Sequence, residues 1–585
     1  MRPTMRTFYE GDIRRRTLAL SFVLAGWAVI VVLRLVQVQV FGHARAKAAV
    51  LAQSRDMVTI EARRGNIYDR NGEILACSLP AASVFIRPVA KEPPAETQAK
   101  VRRLKKELGL TDKETARVLG RLQSMANFTY VKKKIPEDEA ARIKALKLPG
   151  VEVEPATRRH YPHGPLASHV LGGISLDDEN TRSGIEARYN DVLKGIEGQQ
   201  ISFKANGNRD YENHVIKSPV PGRDIFLTLD ATMQYFVERE LARAVAEHEA
   251  AWGAVIVMEP STGEILAMAS FPDYDVNRYP GPKDAWMNRA IGASYEPGST
   301  FKIVTAAAVR ERNRVGFSEL FDCSAGFIRV GGTTITDHER ENILSFPQVL
   351  IKSSNVGTVQ FALRISIPEF CETIKAFGLG AKTGIELPAE EPGLVRPAED
   401  WNKKNTLAHV AIGYEVMVTP LQILRAMNVF ATGGLLVRPR IVKDAASAAA
   451  RDAGGPVRVI SEKTAADLVG RVFEAVVEEG TAKEGRLDGY RIAGKTGTAK
   501  KWDNAVGAYT RNYRASFVGF TPVGKPRLSM IVVLDEPSEG YYGGQVCAPV
   551  FRDIAKKVLR YLRVPPERPI PSPVLTAGMS AGRRP

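Results

Sequence analysis

Cysteine is scarce in this chain. Cys77, Cys323, Cys371 and Cys547 are the only four, scattered through 585 residues. None forms a C-x-x-C pair, so neither a zinc site nor a thioredoxin-type motif is indicated, and any pairing among the four is unreadable. Long apolar runs are scarce too: one lies near the N-terminus and no second of that length follows. No internal repeat is visible. A basic–aromatic recognition motif is missing, so the net charge of +16 and the pI near 9.5 do not point to nucleic acid; an anionic membrane surface suits a basic balance equally well. Metal ligands are thin. His160-x-x-His163 with His169 nearby, around Pro162-His-Gly164, reads as structural, and no cofactor is expected.

What is present is an ordinary globular balance, 44% apolar and 25% charged, in a chain long enough for about two or three folded domains. The apolar run is Thr17 to Leu33, preceded by Arg14-Arg-Arg16. Arg34 is able to snorkel before Leu35 to Phe41. The span suffices to cross a bilayer. The positive-inside rule then assigns 1–16 to a cytoplasmic tail, 17–40 to a single transmembrane anchor and the rest to the exterior. The rival is a cleaved signal peptide, with Ala44-Arg-Ala46 as its weak cleavage candidate.

From 41 to 221 the chain is charged and mixed. Asn71-Gly72 reads as a turn between two short strands. Thr97 to Met125 has helical spacing with a break at Gly109, and Pro136 opens a short helix. Near Gly222 the character changes. Asp224 to Asp230 reads as a strand and Ala231 to Glu249 as a helix. Ala251 to Met258 and Glu264 to Ser270 form a hairpin, and Ala515 to Phe520 and Leu528 to Leu534 are late strands. A final helix spans Pro549 to Leu562. Strand, helices and strands again within 222–564 predict an α/β (α+β) domain whose sheet is built from both ends of the segment. The Pro- and Ala-rich stretch 565–585 reads as a disordered tail.

Three polar motifs fall inside 222–564. Pro297-Gly298 predicts a turn, after which a helix opens near Ser299 with Lys302 one turn on. A serine is a poor nucleophile until a neighbouring base takes its proton; a lysine serves when burial or another cation lowers its pKa. Ser353-Ser-Asn355 and Lys495-Thr-Gly-Thr498 follow. Together they match the Ser-x-x-Lys, Ser-x-Asn and Lys-Thr-Gly set of serine acyl-transfer enzymes. Ser299 attacks a carbonyl, and its own amide and that of Thr498 supply an oxyanion hole. Ser353 relays a proton, and Asn355 fixes Lys302 and the substrate amide. Lys495 lowers the pKa of Lys302. Gly497 leaves room for an extended substrate, and Thr496 and Thr498 offer hydroxyls to a carboxylate. As base, Lys302 is favoured over a water or a Ser353 relay.

Two decoys are set aside. Lys382-Thr-Gly384 is followed by Ile385 in a Gly-rich turn. Gly489 to Thr496 fits a phosphate-loop pattern, but that loop follows a strand and opens a helix. Here Tyr490 to Ala493 itself reads as strand, and no apolar helix follows Lys500.

With these motifs in order, the chain closely resembles the class B penicillin-binding proteins. Arg64-Gly-Asn-Ile-Tyr-Asp-Arg-Asn-Gly72, Arg159-His-Tyr-Pro162, His169-Val-Leu-Gly172 and Gly184-Ile-Glu186 look like that family's pedestal, over 41–221. Val418-Thr-Pro-Leu-Gln422 and Tyr541-Tyr-Gly-Gly544 look like its transpeptidase domain, over 222–564. Glu296-Pro-Gly-Ser299 and Lys495 to Lys501 look like the septal branch. The resemblance implies cross-linking of peptidoglycan stem peptides, donor and acceptor, through a serine acyl-enzyme, with β-lactams as covalent inhibitors. It also implies an inner-membrane location with an extracytoplasmic catalytic domain, and a membrane glycan polymerase and the division machinery as partners. A D,D-carboxypeptidase, a β-lactam sensor or scaffold, and an elongation-type transpeptidase remain alternatives.

Overall fold

The computed structural model describes residues 6–37, 39, 57–87, 89, 92–124, 128–175, 181, 183–204, 211–278, 283–443, 455–503, 505 and 507–570. The chain divides into two compact units, Met1–Arg63 with Gly195–Pro221, and Arg64–Lys194 with Gly222–Pro585.

In the first unit the helix Arg6–Val36 contains the 21-residue span Arg16–Val36, whose 18-residue apolar window has mean hydropathy 2.3 and is not buried. Its length and composition are those of a membrane span. Arg34 donates to Gln37 Oε1 at 2.6 Å. The candidate cleavage site at Ala44 to Ala46 lies outside the described residues. Three antiparallel strands, Met57–Ile60, Gly198–Lys204 and Tyr211–Lys217, are the other described elements of this unit.

In the second unit a five-stranded antiparallel sheet carries the strands β1 (Trp252–Met258), β2 (Ile265–Phe271), β3 (Ala493–Asp503), β4 (Ala508–Thr521) and β5 (Leu528–Asp535) in the order β2-β1-β5-β4-β3. The sheet is therefore built from both ends of the segment, as the pattern of apolar runs implied, and β3 is an edge. Because side chains alternate along a strand, β1 feeds two cores. Val255 and Val257 pack with Val237, Leu241, Phe551 and Val558 of the helices α1 (Ala231–Glu247) and α5 (Ala548–Tyr561). Ile256 and Met258 face Ile303, Val304, Leu424 and Met427 of α2 (Lys302–Glu311) and α4 (Pro420–Ala431). Burying each such side chain contributes about 1.5–3 kcal/mol. Asp230 caps α1 by accepting from Met233 N. Thr419 and Gln422 form a capping box on α4 with Pro420 in its first turn, which explains the Thr-Pro-Leu-Gln motif locally.

Residues 64–194 and the chain from Gly222 onward belong to the same unit. Ile225–Phe226 is the only strand within Asp224 to Asp230, and it pairs in parallel with Ile67–Tyr68. Beyond it, Thr228 N turns to Ile441 O and Asp230 becomes a cap. Ile67, Leu75, Tyr161, Val170 and Ile185 share one core with Leu227, Ile256 and Tyr295. The remaining pedestal strands, Ile74–Ile86, Thr129–Ile135 and Val151–His160, cover a smaller core of their own around Val84, Leu104 and Val131. The start of the expected tail is also held. Glu567 accepts from the amides of Gly524 at 2.7 Å and Arg491 at 2.9 Å, and Arg568 pairs with Glu474 and Glu478. Residues 571–585 lie outside the described residues.

Candidate active site

Pro297 and Gly298 make the turn that carries Ser299. Gly298 has φ +55°, a left-handed conformation that suits glycine. Its amide donates to Gly413 O at 3.1 Å, and Thr300 Oγ1 closes the turn on Pro297 O at 2.9 Å. A helical turn opens near Ser299, as the spacing suggested, but it is not yet α. Gly298–Phe301 is one 3₁₀ turn, and α2 begins at Lys302. In 3₁₀ geometry residues i and i+3 eclipse, which brings Ser299 and Lys302 onto one face more directly than an α-turn does.

Lys302 and Lys495 are both fully buried. Lys302 Nζ donates to Ser353 O at 2.7 Å, to Asn355 Oδ1 at 2.8 Å and to Ser353 Oγ at 3.4 Å. Lys495 Nζ donates to Ser353 Oγ at 2.9 Å and to Thr496 O at 3.3 Å. The Ser353 hydroxyl thus receives two ammonium groups on its two lone pairs, leaving its own proton to give. Ser353 holds this position at φ +59°, a strained conformation for a residue with a side chain.

Burial pushes Lys302 down to about 7, against an opposing pull from Asp337. Burial also pushes Lys495 well down, and the charge of Lys302 pushes it further. The sequence pointed to Lys495 as what lowers Lys302; desolvation is the larger cause. The repulsion is mutual, so the two titrate as a pair that carries fewer protons near neutral pH than two free lysines.

The strand β3 lies against the serine turn, and this revises the reading of Gly497. A Cβ there would meet Ser516 Oγ at 2.4 Å, Thr300 Cγ2 at 2.8 Å and Pro297 O at 3.1 Å. Glycine serves the approach of strand to turn, so the clearance once given to a substrate is already filled by protein. Thr496 Oγ1 meets Thr481 Oγ1 at 2.7 Å, and Thr498 Oγ1 accepts from Gly543 N at 3.1 Å. That leaves the Thr498 proton, and one proton of the Thr481–Thr496 pair, for an acceptor. Both glycines of Tyr541-Tyr-Gly-Gly544 are required by packing. A Cβ on Gly543 would lie 2.2 Å from Ser516 O, and one on Gly544 1.9 Å from Thr481 O.

The structure thus gathers Ser353, Asn355 and Lys495 around Lys302, and sets the Ser299 turn against Gly497. Sequence reasoning missed Thr336, Asp337, Gly413 and Thr481, which lie far along the chain from the motifs they support; a polar residue ending a short strand carries no chemical signature of its own. Of the decoys, Lys382-Thr-Gly384 spends its Thr383 and Gly384 amides on Glu390. Ala493 to Thr496 is strand, with no helix opening at Thr496. The histidines have separate partners: His169 Nε2 meets Ala285 O at 2.7 Å and His163 faces Glu73 at 3.0 Å.

Residues 253–556 match the penicillin binding protein transpeptidase domain and residues 59–227 the penicillin-binding protein dimerisation domain. The chain belongs to the penicillin-binding proteins. It is of their class B, the serine-type transpeptidases. It is 32% identical over 562 residues to the probable peptidoglycan D,D-transpeptidase PbpC of Pseudomonas aeruginosa, covering 95% of this chain and 96% of that protein. It is 34% identical over 543 residues to stage V sporulation protein D of Bacillus subtilis, covering 90% and 83%. With the peptidoglycan D,D-transpeptidase FtsI of Escherichia coli it shares 32% over 516 residues, covering 87% and 85%. Among solved structures, penicillin-binding protein 3 from Mycobacterium tuberculosis in complex with aztreonam superposes with TM-score 0.66 at 28% identity, over 88% of this chain and 99% of that one.

Proposed function

We infer that this penicillin-binding protein is a peptidoglycan D,D-transpeptidase in which Ser299 is the nucleophile and Lys302 the general base. The observation that carries this reading is the convergence of two buried lysines on one serine hydroxyl beside the Ser299 turn. In the first step Ser299 Oγ bonds the carbonyl carbon of a D-Ala-D-Ala terminus and its proton passes to neutral Lys302. The tetrahedral oxyanion is stabilised by the Ser299 and Thr498 amides. The carbon–nitrogen bond then breaks as the proton reaches the leaving D-Ala nitrogen through Ser353. In the second step a stem-peptide amine attacks the acyl-enzyme, returns its proton by the same route and releases Ser299. Thr496 and Thr498 hold the donor carboxylate with their unspent protons, and the proton the lysine pair retains when Lys302 is neutral rests on Lys495, whose charge suits that carboxylate. β-Lactams enter at the first step and stall at the acyl-enzyme.

FtsI and stage V sporulation protein D are similarly identical to this chain. The septal reading therefore rests on Glu296-Pro-Gly-Ser299 and Lys495 to Lys501. The apolar helix, with Arg14-Arg-Arg16 before it, supports a single-pass inner-membrane protein with its catalytic domain outside, working beside a membrane glycan polymerase and the division machinery. The test is fluorescent-penicillin labelling of the full chain with mass mapping, followed by turnover of a D-Ala-D-Ala donor with and without an amine acceptor. Label on Ser299 and a cross-linked product are expected. Label elsewhere overturns the nucleophile, and hydrolysis alone makes the protein a carboxypeptidase.

A further inference from the structure

One carboxylate stands at this site without belonging to any of the three motifs. Asp337 follows the strand Thr333–Thr336 and precedes Asn355 by 18 residues. Its Oδ1 accepts from the amides of Asn355 and, at 3.0 Å, Val356, and its Oδ2 accepts from Ser354 Oγ at 2.7 Å. It therefore occupies the N-terminus of α3 (Asn355–Ala362), where free amides and the helix dipole favour an anion. Next to it, Thr336 O accepts from Asn355 Nδ2 at 2.9 Å. That bond fixes which way the Asn355 amide faces, and leaves Oδ1 for Lys302.

We propose that Asp337 is a positioning residue of the acylation step: its carboxylate pins the start of α3 so that Asn355 holds Lys302, and its charge sets the pH at which Lys302 takes the serine proton. The proposal rests on Lys302 being the base. The charged and titratable groups acting on Lys302 are Lys495 from β3, and Asp337 with its neighbour His338 from the stretch after Thr336. Asp337 is the anion among them, so it favours the protonated form of Lys302. Without that charge, Lys302 gives up its proton at lower pH and the acid limb of acylation moves down.

The test is the second-order rate of penicillin acylation from pH 5 to 9 on the full chain, in a His338→Asn background that removes the imidazole's own ionisation. Asp337→Asn keeps the size and one acceptor oxygen but loses the charge. Its limb should fall by about half to one pH unit, with a plateau within about tenfold of the background. Asp337→Glu keeps the charge and misplaces the oxygens; its limb should stay while its plateau falls. Asp337→Ser provides a second neutral variant. A limb that stays or rises in every folded neutral variant overturns the proposal, as does failure of both neutral variants to fold, which would make Asp337 structural. Failure of Ser299 itself to label would instead overturn the catalytic assignment, and is read separately by mass.

Discussion

Two of the places where this protein buries charge treat it oppositely. In the pedestal, the fully buried Glu186 carboxylate meets Arg159 Nε at 2.6 Å and Arg64 Nη2 at 2.6 Å. Arg64 also reaches Asn190 Oδ1 at 2.8 Å and Arg159 reaches Gly65 O at 2.7 Å. Three of the sequence motifs supply this cluster, and its one carboxylate is hydrogen-bonded by both arginines. In the catalytic domain, two fully buried ammonium groups share a neutral serine, and the carboxylate that acts on them is engaged by the α3 amides. The first arrangement sets opposite charges in direct contact. The second cannot keep both charges, and so makes a proton acceptor out of a lysine. Burial alone does not separate the two; the presence or absence of a counter-ion in contact decides whether a buried ion yields a brace or a base.

The comparison breaks most visibly at Lys302. Lys302→Met fills the lysine stem's space but accepts no proton, so penicillin acylation should fall by a factor on the order of a hundred or more, with melting temperature as the control for folding. At Glu186 the effect should reverse. Glu186→Gln leaves two arginines without their anion, which typically costs about 3–5 kcal/mol. Denaturant unfolding should show that loss, while the folded fraction acylates near the native rate. Gly497→Ala tests the contact between strand and turn. Its Cβ would lie 2.4 Å from Ser516 Oγ, and overpacking of this kind costs about 1–3 kcal/mol, so both stability and acylation should drop. The smallest effect belongs to Thr481→Val. Losing one hydrogen bond to Thr496 is worth about 1 kcal/mol, which should weaken carboxylate-bearing substrates several-fold and leave the melting temperature nearly unchanged.

Much of this was legible in the chain. The strands β1, β2, β4 and β5 announce themselves as apolar runs, and Asp230, Thr419 and Pro420 are ordinary caps. The three motifs were readable because nucleophile, base and relay need particular side chains. What escaped follows from the same logic. The strand β3 begins at Ala493 and runs through the motif to Asp503; lysine, glycine and threonine there satisfy a turn against the sheet, which apolar periodicity does not register. The role of Gly497 depends on Thr300 and Ser516, brought near only by folding. Asp337 and Thr481 act through backbone amides and a shared hydroxyl, and such contacts leave no spacing to read. The composition change at Gly222 marked a real shift in character, yet the Ile67–Tyr68 ladder to Ile225–Phe226 carries the fold across it.

The most direct measurement is the pH dependence of acylation in the native full chain beside Lys302→Met. If a buried lysine near pKa 7 is the base, the native second-order rate should climb about tenfold per pH unit below neutrality and level off above about pH 7. The Met variant should remain low and flat across the same range. A native rate independent of pH between 5 and 8, or a Met variant that acylates at close to the native rate, would contradict it and make Lys302 a structural cation.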